Sequence, residues 1–311
     1  MVNFSIVIVT YGRTSELSQL LKSITKQTLI DELEKIIVVD NHPKSIGEKI
    51  VDQYLNDLDI TYIKNNVNSL TSGRSKGSKV VESEIVLFLD DDVTLNINYF
   101  KEMIDFYEAY PDANGMQGMF DVGNYSKLKN SFNAFFWLFN YTKDEYKVYP
   151  SIQASYSGAV HKITKCEWFS GTNFSYKRQV IKEIDFDLNL LKYCEGEDID
   201  YSYRVYKGFG KLYMNPKCKV IHHASSTSRE MGKEFTIMQE IYGVYLLNKL
   251  FPKCKTCKLK YVASRIGKLL LLCVEIIRLK PYSFKNLTTY FSAVKRSVLN
   301  GDINKFNKEI K

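Results

Sequence analysis

Three consecutive carboxylates follow directly on an apolar run, and this junction constrains the fold more than any other part of the sequence. The run Ile85-Val86-Leu87-Phe88-Leu89 is continuously apolar, and Asp90-Asp91-Asp92 comes straight after it. Continuous apolar character is typical of a strand buried on both faces of a parallel sheet. Open α/β sheets place their ligand crevice at the carboxyl ends of such strands. The sequence therefore predicts an acidic ligand site there.

Three crowded negative charges are costly unless a cation offsets them. The nearest basic residues along the chain are Lys79 and Lys101. Carboxylate oxygens at short spacing suit Mg²⁺ or Mn²⁺, and Mg²⁺ usually keeps part of its shell for substrate phosphates. A solvated acidic turn or a helix start is the alternative.

Composition indicates a globular chain with one moderate core and an appendage. It has 311 residues, of which 45% are hydrophobic and 14% aromatic, and this excludes a disordered protein. No stretch approaches the roughly 20 apolar residues of a spanning helix, and the first residues lack a secretory signal. We expect a cytoplasmic protein whose six scattered cysteines are reduced thiols. Cys254 and Cys257 form a lone CxxC, for which a zinc site is not expected.

Charge is distributed unevenly along the chain. Residues 226–311 carry 17 Lys/Arg against 6 Asp/Glu, whereas residues 1–225 carry 26 against 29. The basic part lacks a nucleic-acid-binding motif, so an anionic membrane surface is the favoured partner and no nucleic acid is expected. Helical spacing of apolar residues from Ile241 to Leu250, a basic stretch after it and the apolar run Leu269–Val274 predict a surface-lying helical anchor. The alternative is a helical pair packed on the body of the protein with a solvated basic face.

Strands and helices alternate in the first 90 residues. Apolar runs predict strands at Phe4–Thr10, 35–40, 60–63 and 85–89, and 3.6-residue periodicity predicts helices after Thr14 or Ser15, over 46–56 and near 72–81. This βαβαβαβ series predicts an α/β fold with a doubly wound parallel sheet, in which the strand ends at Thr10, Asp40 and Asp90 share one edge. No GxGxxG or GxxxxGK[ST] is present, which disfavours dinucleotide dehydrogenases and P-loop enzymes.

Three later segments contain candidate site residues. Residues 168–178 are rich in β-forming residues and are interrupted by Gly171, which permits close approach of a ligand to the backbone. Residues 195–204 open a helix with four acids, which either complement the helix dipole or perform chemistry. The third segment is another strand, which ends at His222-His223, where a histidine is either a metal ligand or a packed edge residue. Strand alternation favours His222 over His223 as the ligand, because Val220 and His222 share the inward face.

These segments together resemble the family 2 glycosyltransferases of the GT-A fold, including the transferases of bacterial and archaeal polysaccharide assembly. The resemblance runs from Ser5 to about Arg229. Its motifs, in chain order, are Ile6-Val7-Ile8-Val9-Thr10-Tyr11-Gly12-Arg13, Val38-Val39-Asp40-Asn41, Phe88-Leu89-Asp90-Asp91-Asp92, the stretch from Gly171 to Arg178, Gly196-Glu197-Asp198-Ile199-Asp200 with Arg204, and His222. It implies a GT-A-type sheet flanked by helices with a C-terminal helical appendage. The expected boundaries are 1–228 for the catalytic domain, with a nucleotide-binding half at 1–123 and an acceptor half at 124–228, and 229–311 for the basic tail.

The resemblance also implies roles for particular residues. Residues that would bind the nucleotide-diphosphate sugar are Thr10, Tyr11, Arg13, Asp40, Arg74, Asp90 and Asp91. Asp92 and His222 would hold Mn²⁺ or Mg²⁺. Asp198 matches the catalytic base of inverting members, with Glu197 as the fallback. The loop Asn41-His42-Pro43-Lys44 departs from the family pattern, so the base of the donor stays open among uracil, thymine and guanine.

The implied activity is inverting transfer of a hexose or deoxyhexose to a hydroxyl of a glycan or a lipid-linked acceptor. A Mg²⁺-dependent nucleotidyltransferase is one alternative, although a Gly-rich, basic phosphate loop is expected after its first strand. A non-catalytic nucleotide-sugar or glycan-binding relative is the other, although it would have no need for a base. The aromatic residues of region 124–165 either face an acceptor or belong to the core.

Overall fold

The computed structural model describes residues 2–120, 126–143, 145–157, 160–193, 195–224, 232–281, 283–299 and 302–310. The expected boundaries at 123 and 228, and Cys194, lie outside these ranges. The chain divides into two compact units. The first unit comprises Met1–Val122, Ala159–Tyr193 and Tyr201–Arg229, and the second comprises Gly123–Gly158, Cys194–Asp200 and Glu230–Lys311.

The elements of the described residues are named here in chain order. The strands are β1 (Phe4–Thr10), β2 (Leu33–Asp40), β3 (Ile60–Lys64), β4 (Ile85–Asp90), β5 (Val93–Leu95), β6 (Gly115–Phe120), β7 (Asn140–Thr142), β8 (Val148–Tyr149), β9 (Gln153–Ser157), β10 (Thr164–Cys166), β11 (Asn173–Lys177) and β12 (Leu212–His222). The α-helices are α1 (Thr14–Ile24), α2 (Glu48–Val51), α3 (Leu70–Ser78), α4 (Tyr99–Ala109), α5 (Lys127–Phe135), α6 (Arg178–Glu183), α7 (Glu197–Phe209), α8 (Lys233–Leu250), α9 (Lys255–Ile277), α10 (Ser283–Leu299) and α11 (Ile303–Ile310).

A mostly parallel sheet forms the centre of the first unit. Its strand order is β10-β12-β6-β11-β4-β1-β2-β3, and β5 pairs with β12. Strands β4, β1, β2 and β3 run parallel, whereas β11, β10 and β5 are antiparallel to their neighbours. In the register, Thr10 pairs with Asp40 and Val9 pairs with Asp90. The predicted α/β fold and the shared edge of these strand ends are therefore confirmed.

The helix predicted over 46–56 is wrong in its extent. The chain instead forms the four-residue helix α2 and then a 3₁₀ turn at Asp52–Tyr54. The cause lies in Asp40, whose carboxylate accepts hydrogen bonds from the backbone N–H groups of His42 (2.7 Å) and Gly47 (2.9 Å). These bonds hold residues 41–47 as a loop, so helical hydrogen bonding starts only after it.

The second unit combines a small sheet with the helices of the basic region. Strands β7, β9 and β8 form the three-stranded sheet. Gly267 of α9 lies against the ring of Phe136, so close that an added Cβ would approach the Phe136 Cβ to 2.5 Å. Lys260 lies 5.4 Å from the ring centre of Trp137. The basic region thus packs with segment 126–157, so packing here joins residues that are distant along the chain. These two aromatic residues have a packing role.

A buried cluster of charges joins α8 to α9. The carboxylate of Glu240, which is 1% exposed, accepts hydrogen bonds from Arg265 (3.0 and 3.1 Å) and from Lys268 (3.0 Å). Burial opposes ionisation of Glu240, but the Arg265 guanidinium and the Lys268 ammonium outweigh it and lower the pKa of the carboxyl. The cluster therefore stays ionised at neutral pH.

Two of the six cysteines form a disulfide, between Cys254 and Cys257 at the start of α9. The prediction that all the cysteines are reduced thiols is therefore wrong for this pair. Their spacing brings the two sulfur atoms together, because Cys254 is the N-cap residue of α9 and Cys257 lies in the first turn. Among the described residues, Cys166, Cys218 and Cys273 are free thiols.

We expect Glu240→Gln to destabilise the second unit by about 3–5 kcal/mol, because it leaves Arg265 and Lys268 without their buried counter-charge. The lowered pKa means that this contribution is present at neutral pH and is lost as the pH falls below the usual range of a glutamate, about 4.3. The difference between wild type and variant should therefore shrink in acid. Chemical denaturation at pH 7 and pH 3.5 measures it.

The chain has two tryptophans, so a Trp168→Phe background leaves Trp137 as the fluorescent reporter of the second unit. The matched control is Glu275→Gln, which removes an exposed pair with Lys280 and should cost about 0–1 kcal/mol. Equal effects of the two substitutions would contradict the assigned role of Glu240.

Candidate active site

The three carboxylates lie where β4 ends, between groups supplied by β1 and β12. Thr10, the last residue of β1, donates a hydrogen bond to Asp91 (2.7 Å). Arg13, just before α1, donates to Asp91 (2.9 Å) and to Asp92 (3.3 Å). The strand order thus brings side chains from several elements to a motif that is continuous in sequence.

Arginines that are distant in sequence offset part of the negative charge. Arg74 of α3, itself 3% exposed, contacts Asp90 at 3.1 Å and donates to the carbonyl of Gly171 at 2.9 Å. Arg13 contacts both of the other carboxylates. No basic residue lies near the cluster along the sequence, but β1 and α3 bring these two arginines to the end of β4 in the fold.

Asp90, Asp92 and His222 form a potential metal-binding group. One ligand atom from each of these residues lies within 4.8 Å of the others, and Nε2 of His222 is 3.4 Å from Oδ1 of Asp92. Two ligands about 2.1 Å from an ion and on opposite sides of it are about 4.2 Å apart, so the group fits a small divalent cation after slight contraction. Two carboxylates and an imidazole are a donor set that Mn²⁺ accepts.

Burial sets the protonation of the two leading carboxylates. Burial raises the pKa of Asp91 to about 7, against the opposing effect of Arg13 and Thr10. Burial likewise raises the pKa of Asp90, and Arg74 opposes it. A divalent cation at this position would favour the ionised carboxylates.

His222 and His223 lie in different environments. His222 approaches Asp92, and its ring packs edge-on against Phe120 with 5.8 Å between ring centres. The ring of His223 instead forms a hydrogen bond with the hydroxyl of Thr94 at 2.8 Å. This placement agrees with the strand alternation from which His222 was selected.

The end of β2 carries a second group of predicted nucleotide-binding residues. Asp40 is fully buried, and besides the two loop N–H groups its carboxylate accepts a hydrogen bond from the Tyr62 hydroxyl at 2.7 Å. It therefore shapes the loop after β2. Tyr11 and His42 are half-buried and pack edge-to-face with ring centres 5.2 Å apart, so this pair offers aromatic surface at the ends of β1 and β2.

The predicted base belongs to the second unit. Glu197 and Asp198 open α7 as predicted, after Gly196, whose φ of +100° favours glycine. Asp198 is half-buried and accepts a hydrogen bond from the N–H of Ile199 at 2.8 Å, whereas Glu197 is 7% exposed. Asp200 forms a buried pair with Lys249 of α8 at 2.7 Å. Of the acids in this segment, Asp198 is thus better exposed than Glu197 and Asp200.

Sequence reasoning missed a group of polar side chains in the second unit. Glu195 accepts hydrogen bonds from Gln153 (3.1 Å) and from Gln239. The sequence did contain a signal for the cluster of Glu240, Arg265 and Lys268. Glu240 interrupts an apolar stretch of α8, and a charge at such a position predicts a buried partner of opposite charge. Isolated glutamines gave no such signal.

Comparison with known proteins relates the chain to sugar-transferring enzymes. Residues 5–185 match the model of the family described as glycosyl transferase family 2. A glucosyl-dolichyl phosphate glucuronosyltransferase of Haloferax volcanii is 24% identical over 288 residues, which cover 89% of this chain and 85% of the relative. A hyaluronan synthase of Pasteurella multocida is 23% identical, and the match covers 81% of this chain but 28% of the relative.

Solved structures agree on the fold. A structure of GalNAc-T7 with UDP, GalNAc and Mn²⁺ superposes with a TM-score of 0.60 at 16% identity, covering 80% of this chain and 48% of the other. The structure of residues 1–349 of Staphylococcus aureus TarS with UDP-GlcNAc has a TM-score of 0.52 at 16% identity, covering 94% and 91%. At such identities the likeness establishes the GT-A-type fold alone.

The family match covers more than half of the chain, and the strand ends carry the motifs on which the resemblance was based. The chain belongs to glycosyltransferase family 2.

Proposed function

We propose that this family 2 glycosyltransferase performs metal-dependent, inverting transfer from a nucleotide-diphosphate sugar to a hydroxyl of a glycan or a lipid-linked acceptor. The observation that carries the proposal is the grouping of Asp90, Asp92 and His222 beside Arg13 at the sheet edge. The named ligands of the two superposed structures, UDP with Mn²⁺ and UDP-GlcNAc, support a nucleotide-sugar donor. The glucuronosyltransferase relative supports a lipid-linked acceptor.

Asp90, Asp92 and His222 would hold Mn²⁺ or Mg²⁺. Such an ion, when bound, neutralises charge that develops on the departing diphosphate. Arg13 is placed to add a second positive charge near the same oxygens, because its guanidinium already lies between Asp91 and Asp92. The carboxylates thus bind cationic groups, and those groups bind the diphosphate.

Tyr11, Thr10 and Asp40, with Arg74 nearby, are proposed to form the nucleoside end of the site. The half-buried pair of Tyr11 and His42 supplies ring surface for a base, and Asp40 fixes the loop that carries His42. A nucleotidyltransferase is disfavoured by the family match and because only Gly12 and Arg13 follow β1, where a phosphate loop would be needed.

Asp198 is proposed as the base that accepts the proton of the acceptor hydroxyl. Its half-buried carboxylate at the start of α7 is more accessible than that of Glu197. As Asp198 takes this proton, the oxygen forms a bond to the anomeric carbon and the bond from that carbon to the diphosphate breaks. Attack from the face opposite the diphosphate inverts the configuration. Glu197 is the fallback.

The basic region is proposed to hold the enzyme on an anionic membrane surface. Helix α9 presents an exposed apolar stripe at helical spacing, with side chains 41–79% exposed: Leu259, Val262, Ile266, Leu270, Val274 and Ile277. Of the basic residues of this helix, Lys255, Lys258 and Lys260 are exposed, whereas Arg265 and Lys268 bind the buried Glu240. An apolar face with basic flanks suits the anionic inner face of a membrane. No helix in the described ranges combines the length and the apolar character that crossing a bilayer requires.

We expect His222→Ala and Asp92→Asn to weaken binding of UDP, dTDP or GDP in the presence of Mn²⁺ by at least tenfold, because each variant removes one proposed ligand. EDTA should weaken wild-type binding to the same degree. Calorimetry with the three nucleotides measures both effects.

The matched control is His223→Ala, which should bind normally, because that ring contacts Thr94. Undiminished affinity in EDTA, or a loss confined to His223→Ala, would refute the assigned ligands.

Asp198→Asn should lower turnover by roughly 10²–10⁴ and leave donor affinity unchanged, since the amide keeps the size of the side chain but cannot accept the proton. Steady-state kinetics and nucleotide calorimetry measure the two quantities. NMR of the wild-type product should show the inverted anomeric configuration.

Glu197→Gln serves as the comparison and should retain more turnover than Asp198→Asn. Near-normal turnover in Asp198→Asn, or a product with retained configuration, would overturn the mechanism without affecting the fold.

To test the membrane proposal, we expect the double variant Ile266→Glu/Leu270→Glu to sediment with phosphatidylserine vesicles at least tenfold less than the wild type. Insertion of the variant helix would bury two carboxylates. High salt should weaken wild-type binding by screening the lysines. The control is Leu55→Glu, an equally exposed leucine of the first unit. Equal binding by all three proteins would exclude the stripe as the docking face.

A further inference from the structure

A small polar cavity lies within the second unit. Its volume is about 180 Å³. The residues that line it come from segment 138–153, Glu195 and helices α8 and α9: Leu138, Ser151, Ile152, Gln153, Glu195, Gln239, Gly243, Arg265 and Lys268. Pockets for drug-sized ligands measure roughly 300–1,000 Å³, so this cavity suits a single ring.

Part of the cavity lining consists of planar polar groups that are hydrogen-bonded to one another. The carboxylate of Glu195 accepts a hydrogen bond from the amide of Gln153 at 3.1 Å and another from the amide of Gln239. Each amide keeps a second N–H and a carbonyl for a ligand. This part of the lining therefore offers donors and acceptors side by side.

The cationic residues of the lining are compensated by a buried carboxylate. Arg265 and Lys268 line the cavity while both bind the buried carboxylate of Glu240. The three side chains carry one net positive charge, and Glu195 balances it. A cavity with this balance has little preference for an anion.

Two glycines pack closely against their neighbours at or beside the cavity. Gly243 of α8 faces Tyr261 of α9 so closely that an added Cβ would lie 2.7 Å from the Tyr261 hydroxyl oxygen. Gly196 likewise packs near Ile152 and Leu246, so the segment that carries Glu195 is held beside the cavity.

Resting on the proposed function, we infer that this cavity binds one sugar ring of the acceptor glycan. Sugar hydroxyls both donate and accept hydrogen bonds, and an array of carboxylate, amide, guanidinium and hydroxyl groups satisfies both capacities. The carboxylate of Glu195 would repel a phosphate. An apolar ligand would leave the glutamine amides without hydrogen-bond partners. Glu195 lies three residues before the proposed base Asp198 in the same turn of chain. A sugar held by Glu195 is therefore bound by the segment that carries the base.

Saturation-transfer NMR with the full chain tests the inference. The probes are the methyl glycosides of glucose, N-acetylglucosamine, galactose and mannose, each at millimolar concentration, and inorganic phosphate is titrated separately by calorimetry. We expect saturation transfer to at least one glycoside, reduced at least fivefold in Gln153→Leu and in Gln239→Leu, which keep volume but lose both polar atoms. Glu195→Gln, which keeps the shape of the side chain, should also weaken the signal.

Gln53→Leu is the matched control, because Gln53 is an exposed glutamine of the first unit. Circular dichroism and thermal unfolding establish that each variant is folded, and nucleotide calorimetry is run on the same samples. Wild-type signals that persist in all three cavity variants, no transfer to any glycoside, or phosphate binding that these variants abolish would overturn the inference.

The same experiment separates this inference from the proposed function. Normal Mn²⁺-dependent UDP binding without glycoside binding would refute the sugar site in the cavity and would still support the proposed donor site. Glycoside binding that depends on Gln153 and Gln239, in a chain that binds none of the three nucleotides, keeps the cavity as a glycan site and removes the proposed transferase mechanism.

Discussion

The electrostatic balance at the end of β4 is the constraint on which the rest of the site depends. Asp90, Asp91 and Asp92 would repel one another in a partly dry environment, and burial raises the pKa of the first two. Arg13 and Arg74 supply part of the compensation. Both arginines are positioned by elements that the parallel sheet places next to β4. The topology of the sheet is thus what makes the acidic motif stable enough to exist.

This compensation also explains how one motif can serve structure and chemistry. Asp91 is held by Thr10 and Arg13, so its carboxylate mainly fixes the loop before α1. Asp90 and Asp92 lie near His222. Neighbouring residues with the same side chain therefore contact different groups, because they point toward different elements. A cation bound by Asp90, Asp92 and His222 would supply positive charge where the arginines offset only part of the negative charge.

The sequence predicted the sheet well because its signals are local. Continuous apolar strands and short connections specified β1 to β4 and the edge where they end, and strand alternation favoured His222 over His223. The arginine contacts were not predictable in the same way, because Arg13 lies 78 positions before its partner Asp91 and only the pairing of β1 with β4 joins them. The helix over 46–56 was predicted too long for a related reason, since apolar periodicity carries no sign that Asp40 binds the loop.

The second unit was harder to predict because its members are scattered along the chain. Segment 126–157 and the start of α7 pack with helices that begin more than 30 residues later, and no pattern in either segment specifies the other. Glu240 shows what such a pattern can look like, since a single carboxylate in an apolar helix requires a buried cation from elsewhere. Gln153 and Gln239 carry no charge, so the sequence gives no comparable signal for their contacts.

Helix α9 illustrates how one element can serve two environments. Its inward residues Arg265 and Lys268 bind Glu240, while Ile266 and Leu270, one residue after Arg265 and two after Lys268, are exposed. Because 100° separates successive residues of a helix, both patterns fit in one segment without conflict. The diphosphate chemistry is proposed for the first unit, and the base, the sugar cavity and the membrane face for the second. Changes in the second unit can therefore alter the acceptor while the carboxylates and arginines of the first are left intact, which is a physical route by which one fold can serve many acceptors.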